Sequence, residues 1–313
     1  MKRTTISLLA TASLIVMTTA CSGDNGEPAD TAQAVFTVNL DGMDSRAISD
    51  GLTVDQLVFG VFDADGNEIA RLRQSDIAVT GRTATVATRL QRGRSYTCVF
   101  WAQKSGNNCY DLTNLDDLVV SYTGTANNEQ RDAFTASVTL TNVLEDFTQN
   151  VTLRRPFAQL DYVCSATEWQ NLTNSNYSLA GADVTITAGA YTHLNLLTGE
   201  ATQPTTTAFT LAEAPFVSTK SGNTITNPFT AANGDTYFWI SMNYLLAGTD
   251  TTALTNATMN IYTVVSDNTR KPVAVSVDNL PVCRNHRTVV QVSDITRLVT
   301  AVVGIDPGFS GDL

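Results

Sequence analysis

The sequence is poor in lysine, cysteine, proline and charged residues. Only four of its 19 basic residues are lysines, against 30 acidic residues and a formal net charge of -11. A chain this acidic cannot neutralise a run of phosphates, so the composition excludes a nucleic-acid binder. Its 43% of hydrophobic residues excludes a disordered chain.

Catalytic and metal-binding signatures are also missing. The sequence contains no G-x-S-x-G turn, no H-E-x-x-H helix and no glycine-rich phosphate loop. It has only two histidines, His193 and His286, and no C-x-x-C pair that could hold zinc. We therefore expect a protein that is not an enzyme and that needs no metal or cofactor.

The most abundant feature is threonine, with 47 residues, a β-branched type that packs well on pleated sheets. Apolar and polar residues alternate in many segments, for example in Phe134–Leu140 and Tyr237–Tyr244. Helix-like stretches are limited to Leu112–Leu118 and Thr167–Leu172, so crossover helices are not expected. The pattern predicts an all-β fold with antiparallel sheets, and no internal repeat is evident. The aromatic residues around Trp239 are interpreted as core rather than as a sugar-binding platform.

The N-terminus has the features of an export signal. Lys2 and Arg3 precede an apolar stretch, Ile6–Met17, that is too short to cross a bilayer as a helix. Residues 1–20 are predicted to be a signal peptide, and Thr18–Cys21 resembles a bacterial lipobox, in which Cys21 becomes the lipid-carrying N-terminus. A plain secreted protein cut near Ala20 is the alternative. Residues 21–34 contain no large apolar group and are predicted to be a flexible tether.

The number of predicted strands, about fourteen, exceeds one small β-sandwich and fits two. The expected boundary lies at Arg154–Pro156, because two charges and a proline interrupt an extended run there. We therefore predict an N-terminal β-sandwich over residues 35–154 and a C-terminal β-sandwich over residues 155–313.

Four cysteines follow Cys21 in the chain. Cys98 and Cys109 flank a loop-like segment, Lys104–Asn108, so a disulfide between them is one interpretation in an oxidising compartment. Four small buried thiols are the other interpretation.

Several segments, taken in order, resemble the fimbrillin-type lipoproteins of Bacteroidota, which build type V pili. The resemblance follows the lipoprotein signal and covers most of the chain. It rests on these segments: Val35–Leu40, Ser45–Gly51, Phe62–Glu68, Val99–Ala102, Cys109–Leu112, Arg155–Ala158, Leu280–Val282, Arg284–Thr288 and Ile305–Phe309.

The resemblance implies two transthyretin-like antiparallel β-sandwich domains in tandem. It also implies a fimbrial (pilus) structural subunit that is exported as an outer-membrane lipoprotein and assembled with other subunits into an adhesive surface filament. Such precursors are cut after an arginine that follows the first strand, and Arg46-Ala47 occupies that place here. The removable strand is then residues 35–40, with Phe36, Val38 and Leu40 on one face. Its vacated groove would accept a strand from a neighbouring subunit.

The candidate donor strand is residues 298–305, whose alternating face consists of Val299, Ala301, Val303 and Ile305. The other interpretation is that this segment is simply the last strand of its own domain. Arg46 can likewise be an ordinary loop arginine. In that case the chain stays an uncut cell-surface lipoprotein, either an anchor or accessory subunit or a module that binds a glycan or a host protein.

Overall fold

The computed structural model describes residues 30–41, 49–174, 178–231, 233–249, 254–264, 270–293 and 300–306. Within these ranges the side chains of residues 172–174, 178–179, 254–255, 263–264, 270–271, 300–302 and 305–306 are not described. The signal peptide, Cys21, Arg46, Ala47 and Val299 lie outside the described residues.

The described chain is nearly all β, as predicted. The strands of its first half are β1 (Thr31–Leu40), β2 (Gln56–Phe62), β3 (Gln74–Ala78), β4 (Thr83–Gln91), β5 (Arg94–Gln103), β6 (Tyr110–Asp111), β7 (Leu118–Val120), β8 (Phe134–Val143) and β9 (Phe147–Leu153). Two short 3-10 helices, Ala70–Leu72 and Glu129–Arg131, lie in its connections.

The second half contains one α-helix, α1 (Ala166–Asn174), and thirteen described strands. These are β10 (Phe157–Cys164), β11 (Ser178–Ala188), β12 (Tyr191–Leu194), β13 (Ala201–Pro204), β14 (Phe209–Ala214), β15 (Thr219–Ser221), β16 (Thr224–Thr226), β17 (Phe229–Thr230), β18 (Thr236–Leu246), β19 (Leu254–Val264), β20 (Arg270–Pro281), β21 (Arg287–Ser293) and β22 (Thr300–Asp306). Among the described helices, none is long and apolar enough to cross a membrane.

The two halves repeat one strand topology, which the sequence did not reveal. In the first half one sheet has the order β4-β1-β9 and the other has the order β3-β2-β5-β8. In the second half the sheets contain β18-β10-β21 and β14-β11-β19-β20 in the same relative order. Each half is thus a β-sandwich in which the first strand lies between two later ones. The second half adds β17 and β22 at the two edges of its first sheet.

The expectation of purely antiparallel sheets is wrong at two places. β1 pairs in parallel with β9, and β10 pairs in parallel with β21. A parallel pair needs a long connection, and here the connection is not a crossover helix but the whole of the intervening sandwich. The prediction overlooked this because it considered only connections between consecutive strands.

Element boundaries differ from the prediction in two further respects. β1 begins at Thr31 rather than at residue 35, because Ala32 and Ala34 continue its buried face into the predicted tether. The helix-like stretch at Leu112–Leu118 is not helical, since a turn there leads into β7. The other helix-like stretch is confirmed by α1.

The hydrophobic core is not divided at the same place as the sequence. β9 ends at Leu153 and β10 begins at Phe157, so the chain changes sheets at the expected boundary. Part of the first half nevertheless packs against the second sandwich, with Tyr110, Leu118 and Tyr122 in the same apolar cluster as β10 and β18. A small sheet of order β13-β12-β7-β6 joins strands from both halves. This contact couples the two sandwiches.

Candidate functional site

The first strand occupies the centre of its sheet. β1 pairs antiparallel with β4 along most of its length and parallel with β9 from Ala34 to Leu40. Its inward-facing residues are between 0 and 7% exposed: Ala32, Ala34, Phe36, Val38 and Leu40. The three larger ones share a face, as the alternation predicts, and this face forms part of the core of the first sandwich. Removing β1 would therefore open the core.

Phe36 packs against three other aromatic rings. Its ring centroid lies 5.8 Å from that of Phe59, 5.3 Å from Phe100 and 5.8 Å from Phe147. These rings belong to three other strands, two of them in the opposite sheet. Phe36 thus ties the two sheets of the first sandwich together, and a strand that replaced β1 would need an apolar side chain at this place.

Beyond β1, the described chain resumes at Ser49, which is 2% exposed and has a left-handed φ of 61°. Its hydroxyl accepts hydrogen bonds from Gln159 Nε2 and Tyr244 OH, both at 2.9 Å. Its backbone N–H donates to Glu129 Oε1 at 3.0 Å. Glu129 belongs to the first half, whereas Gln159 and Tyr244 belong to the second. Ser49 is therefore fixed at the junction of the two sandwiches.

Arg155 holds both chain ends that flank segment 42–48. Its guanidinium donates to Ser49 O at 2.7 Å and, on the other side, to Asp41 O at 3.4 Å. It also forms a bidentate ion pair with Asp132 at 2.7 and 2.8 Å, and it lies 4.3 Å from the ring centroid of Phe134. Both charged side chains are almost fully buried. A buried charge of this kind persists only when it is paired, so the Arg155–Asp132 pair is a rigid support for these two chain ends.

Glu129 is a carboxyl group at this junction whose pKa is strongly raised. Burial, reinforced by the neighbouring charge of Asp132, raises its pKa from 4.5 to about 8. The carboxyl is therefore mostly protonated at neutral pH. It also borders a groove of about 390 Å³ whose other walls include Asn127, Phe216 and Met242.

The predicted donor strand lies at the opposite end of the chain. β22 pairs antiparallel with β21 over seven residues, from Arg287↔Asp306 to Ser293↔Thr300. Val303 is half-buried and packs against the core of the second sandwich. Ala301 and Ile305 belong to this strand, but their side chains are not described. In this structure the segment belongs to a sheet of the second sandwich and is the last of the described strands.

Cys98 and Cys109 form no disulfide with each other in this structure, and the four cysteines within the described ranges are buried thiols. Cys98 faces the core of the first sandwich, whereas Cys109 belongs to the apolar cluster around the second. The two thiols therefore lie in different cores. Burial raises the pKa of Cys98 to about 12 and also raises that of Cys109, so neither is an active nucleophile.

The other side chains that the sequence analysis considered as functional candidates have surroundings that fit a structural role. Trp239 is buried and donates its indole N–H to Asp161 at 3.1 Å, which fits the core interpretation. Among the residues that the structure describes, no group of three or more His, Cys, Asp or Glu side chains could hold a metal ion. Sequence reasoning assigned no role to Ser49 or Asp132, and it used Arg155 only as a boundary signal and, like Ser49, as part of a segment that resembles the fimbrillin-type family.

The chain belongs to the protein family DUF6562, a family of unknown function whose model matches residues 26–313. No curated protein matches it.

Several solved structures are similar to this chain at low sequence identity. A protein from Bacteroides ovatus, provisionally described as a cell adhesion protein, is 13% identical with a TM-score of 0.49, covering 87% of this chain and 96% of its own. The tip fimbrial protein Mfa3 of Porphyromonas gingivalis is 12% identical with a TM-score of 0.43, covering 88% and 99%. A fimbrial assembly protein of Parabacteroides distasonis is 11% identical with a TM-score of 0.42, covering 88% and 98%. At this similarity the neighbours' roles do not transfer to this chain.

Proposed function

We propose that the chain is a structural subunit of a cell-surface fimbrium, exported as an outer-membrane lipoprotein on Cys21 and assembled with other subunits by strand exchange at the place of β1. One observation carries the proposal. β1 supplies the centre of a sheet and a row of buried side chains, yet it joins the rest of the chain only through segment 42–48. A cut after Arg46 would free the subunit from its lipid and leave β1 held by non-covalent contacts alone.

The free energy of burial supports the idea that another strand would fill the place that β1 leaves. Burial of Phe36, Val38 and Leu40 contributes on the order of 5 to 8 kcal/mol, at roughly 1.5 to 3 kcal/mol per side chain. That is comparable with the total stability of a domain, about 5 to 15 kcal/mol. An emptied place would expose the inner edges of β4 and β9 together with the rings that surround Phe36. A strand with alternating apolar residues from a neighbouring subunit would restore both the hydrogen bonds and the burial.

The junction around Ser49 supports the same proposal. Ser49 lies three residues after Arg46 and is bonded to both sandwiches and to Arg155. After a cut at Arg46-Ala47, these contacts would hold the new N-terminus in place while β1 departs. Loss of β1 would therefore leave the chain beyond Ser49 anchored.

The donor in this proposal is the C-terminal segment that carries Val299, Ala301, Val303 and Ile305. β22 lies at the edge of its sheet and leaves one side of its backbone outside the ladder with β21. An edge strand can separate from its sheet with the loss of only one row of hydrogen bonds.

The test is the N-terminal residue of protein released from the cell surface, measured by mass spectrometry. We expect chains that begin at Ala47, and Arg46→Ala should abolish them and leave lipid on Cys21. Arg71→Ala is the matched control, because Arg71 is an exposed arginine in another connection. Material that keeps a lipidated Cys21 in all chains would refute the polymerising subunit.

A second candidate function is an uncut cell-surface lipoprotein, either an anchor or accessory subunit or a module that binds a glycan or a host protein. The observation that favours it is that both assembly elements are occupied in the intact chain. β1 fills the place between β4 and β9, and β22 is paired with β21. Lipidated full-length chains that co-purify with a filament would support this anchor role.

A further inference from the structure

The groove beside Glu129 lies between the two halves of the chain and has a volume of about 390 Å³. Asn127 and Glu129 of the first half form one wall, and Phe216 and Met242 of the second half form the other. Of the described residues that line the groove, only Glu129 is ionisable. The groove therefore combines mostly apolar walls with a single acidic group.

Two of the lining residues also contact Ser49, where the described chain resumes after segment 42–48. Glu129 Oε1 accepts from the backbone N–H of Ser49 at 3.0 Å, and Met242 Sδ accepts from the Ser49 hydroxyl at 3.4 Å. Consecutive Cα atoms are about 3.8 Å apart, so covalent geometry keeps the Cα of residue 47 within about 7.6 Å of that of Ser49. Residues 47 and 48 can therefore reach the groove.

The carboxyl groups at this groove outnumber the basic groups. Burial, reinforced by the charges of Asp132 and Asp50, raises the pKa of Glu129 to about 8. Arg155 favours the ionised form of Glu129, but it is already paired with Asp132 at 2.7 Å. Glu129 Oε2 accepts no hydrogen bond from the residues that the structure describes. A positively charged donor would complete the surroundings of this carboxyl group.

A cut after Arg46 would create such a donor. Hydrolysis of the peptide bond between residues 46 and 47 consumes one water molecule and leaves a carboxylate on Arg46 and an amine on Ala47. An α-amine has a pKa of about 7.7 to 8.0, so it is largely protonated at neutral pH. This amine is tethered two residues before Ser49, which gives it an effective concentration at Glu129 on the order of millimolar or above. The tether favours the chain's own terminus over a lysine of a separate protein.

We propose that residues 47 and 48 of the cut chain occupy this groove, with the α-ammonium group of Ala47 paired to the carboxylate of Glu129. The side chain of Ile48 then packs against Phe216 and Met242. The proton of the Glu129 carboxyl passes to the amine or to the solvent, so the pair forms without a further reactant. The inference rests on the cut in the proposed function. It adds that the cut strengthens the junction of the two sandwiches when β1 loses its covalent link.

The test uses the full chain carrying Cys21→Ser, with a cut that does not depend on the cell's own protease. Met43→Ile, Asp44→Glu and Ser45→Gly place the factor Xa recognition sequence immediately before residue 47. Mass spectrometry confirms the new N-terminus in the cut complex, which retains the first fragment. The proposed function fails if cells do not make this cut, whereas the present inference fails only in the measurements on the cut complex.

The first measurement is the rate at which acetic anhydride modifies the amine of Ala47 at pH 7. An ammonium group paired with a carboxylate loses its proton less readily, so we expect this amine to react at least about tenfold more slowly than in the Glu129→Gln variant. Glutamine is a matched control, because Glu129 is itself mostly uncharged in the uncut chain at this pH. The amine of the first fragment is the internal reference. Equal rates at Ala47 in both proteins would overturn the proposal.

The second measurement is the pKa of Glu129 by carbon-13 NMR of its carboxyl group, assigned with Glu129→Gln. We expect the cut to lower this pKa from about 8 toward its ordinary value of 4.5. Complete acetylation of Ala47 keeps the cut but removes the charge, so it should raise the pKa again. An equal fall in the acetylated complex would show that water alone had entered the groove. That result, or a pKa that the cut does not lower, would contradict the proposal.

Discussion

Replacing Arg155 by methionine should strongly lower the free energy of unfolding of the protein. The substitution keeps an unbranched apolar side chain but removes the guanidinium, which pairs with Asp132, donates to Ser49 O and lies over the ring of Phe134. Asp132 is fully buried, so its carboxylate would lose its counterion without gaining water. Breaking a buried pair from one side costs about 3 to 5 kcal/mol. This is a large share of a domain stability of about 5 to 15 kcal/mol.

The double variant Arg155→Met with Asp132→Leu distinguishes the effect of the unpaired carboxylate from the effect of the lost hydrogen bond to Ser49 O. Removing both charges abolishes the uncompensated carboxylate, so the loss should shrink to about 1 to 3 kcal/mol, the cost of leaving Ser49 O without its donor. Urea unfolding followed by tryptophan fluorescence gives the free energies, since Trp101, Trp169 and Trp239 are all buried. A single variant that loses less than about 1 kcal/mol, or a double variant as unstable as the single one, would refute the buried-pair argument.

Three further predictions concern other parts of the fold. Phe36→Ala should lower the free energy of unfolding by about 3 to 5 kcal/mol, because the ring fills a cavity between three others, and calorimetry would show it. Glu129, whose pKa is raised from 4.5 to about 8, makes stability fall as pH rises between those values, and Glu129→Gln should flatten this slope in urea titrations across that range. Gly181→Ala would place a Cβ 2.4 Å from Ala214 O and should cost about 1 to 3 kcal/mol, whereas Gly304→Ala, with nothing within 4 Å, should not.

Alternation was sufficient to predict the strands that lie on the two main cores. The alternating segments Phe134–Leu140 and Tyr237–Tyr244 lie within β8 and β18, which extend at most three residues beyond them. In β8 the alternate residues Ala136, Val138 and Leu140 pack against the core of the first sandwich, so its polar and apolar residues separate. The short strands β6, β7, β12 and β13 were missed, because with only two to four residues each they are too short for a period of two to show.

The sequence could not predict which distant residues meet. The repeated topology leaves no repeat in the sequence. Equivalent strands of the two sandwiches need only the same alternation of apolar and polar residues, and not the same residues. Ser49 looks like an ordinary loop serine, yet its partners Gln159 and Tyr244 lie more than a hundred positions away. The charges of Arg154 and Arg155 indicated only an interruption between two sandwiches, whereas the pairing of Arg155 with Asp132 allows Arg155 to be fully buried.

The parallel pairing of β1 with β9 determines when the first sandwich can be completed. β1 is synthesised before the other described strands, but the neighbour that closes its second side begins only at Phe147. Contacts between positions so far apart form slowly, because a long loop must close first. β1, the first described strand, is therefore among the last to complete its pairing within the sheet. Until Phe147 and the residues after it have paired, β1 lies in an incomplete sandwich, where a binding partner or a protease has its best access to it.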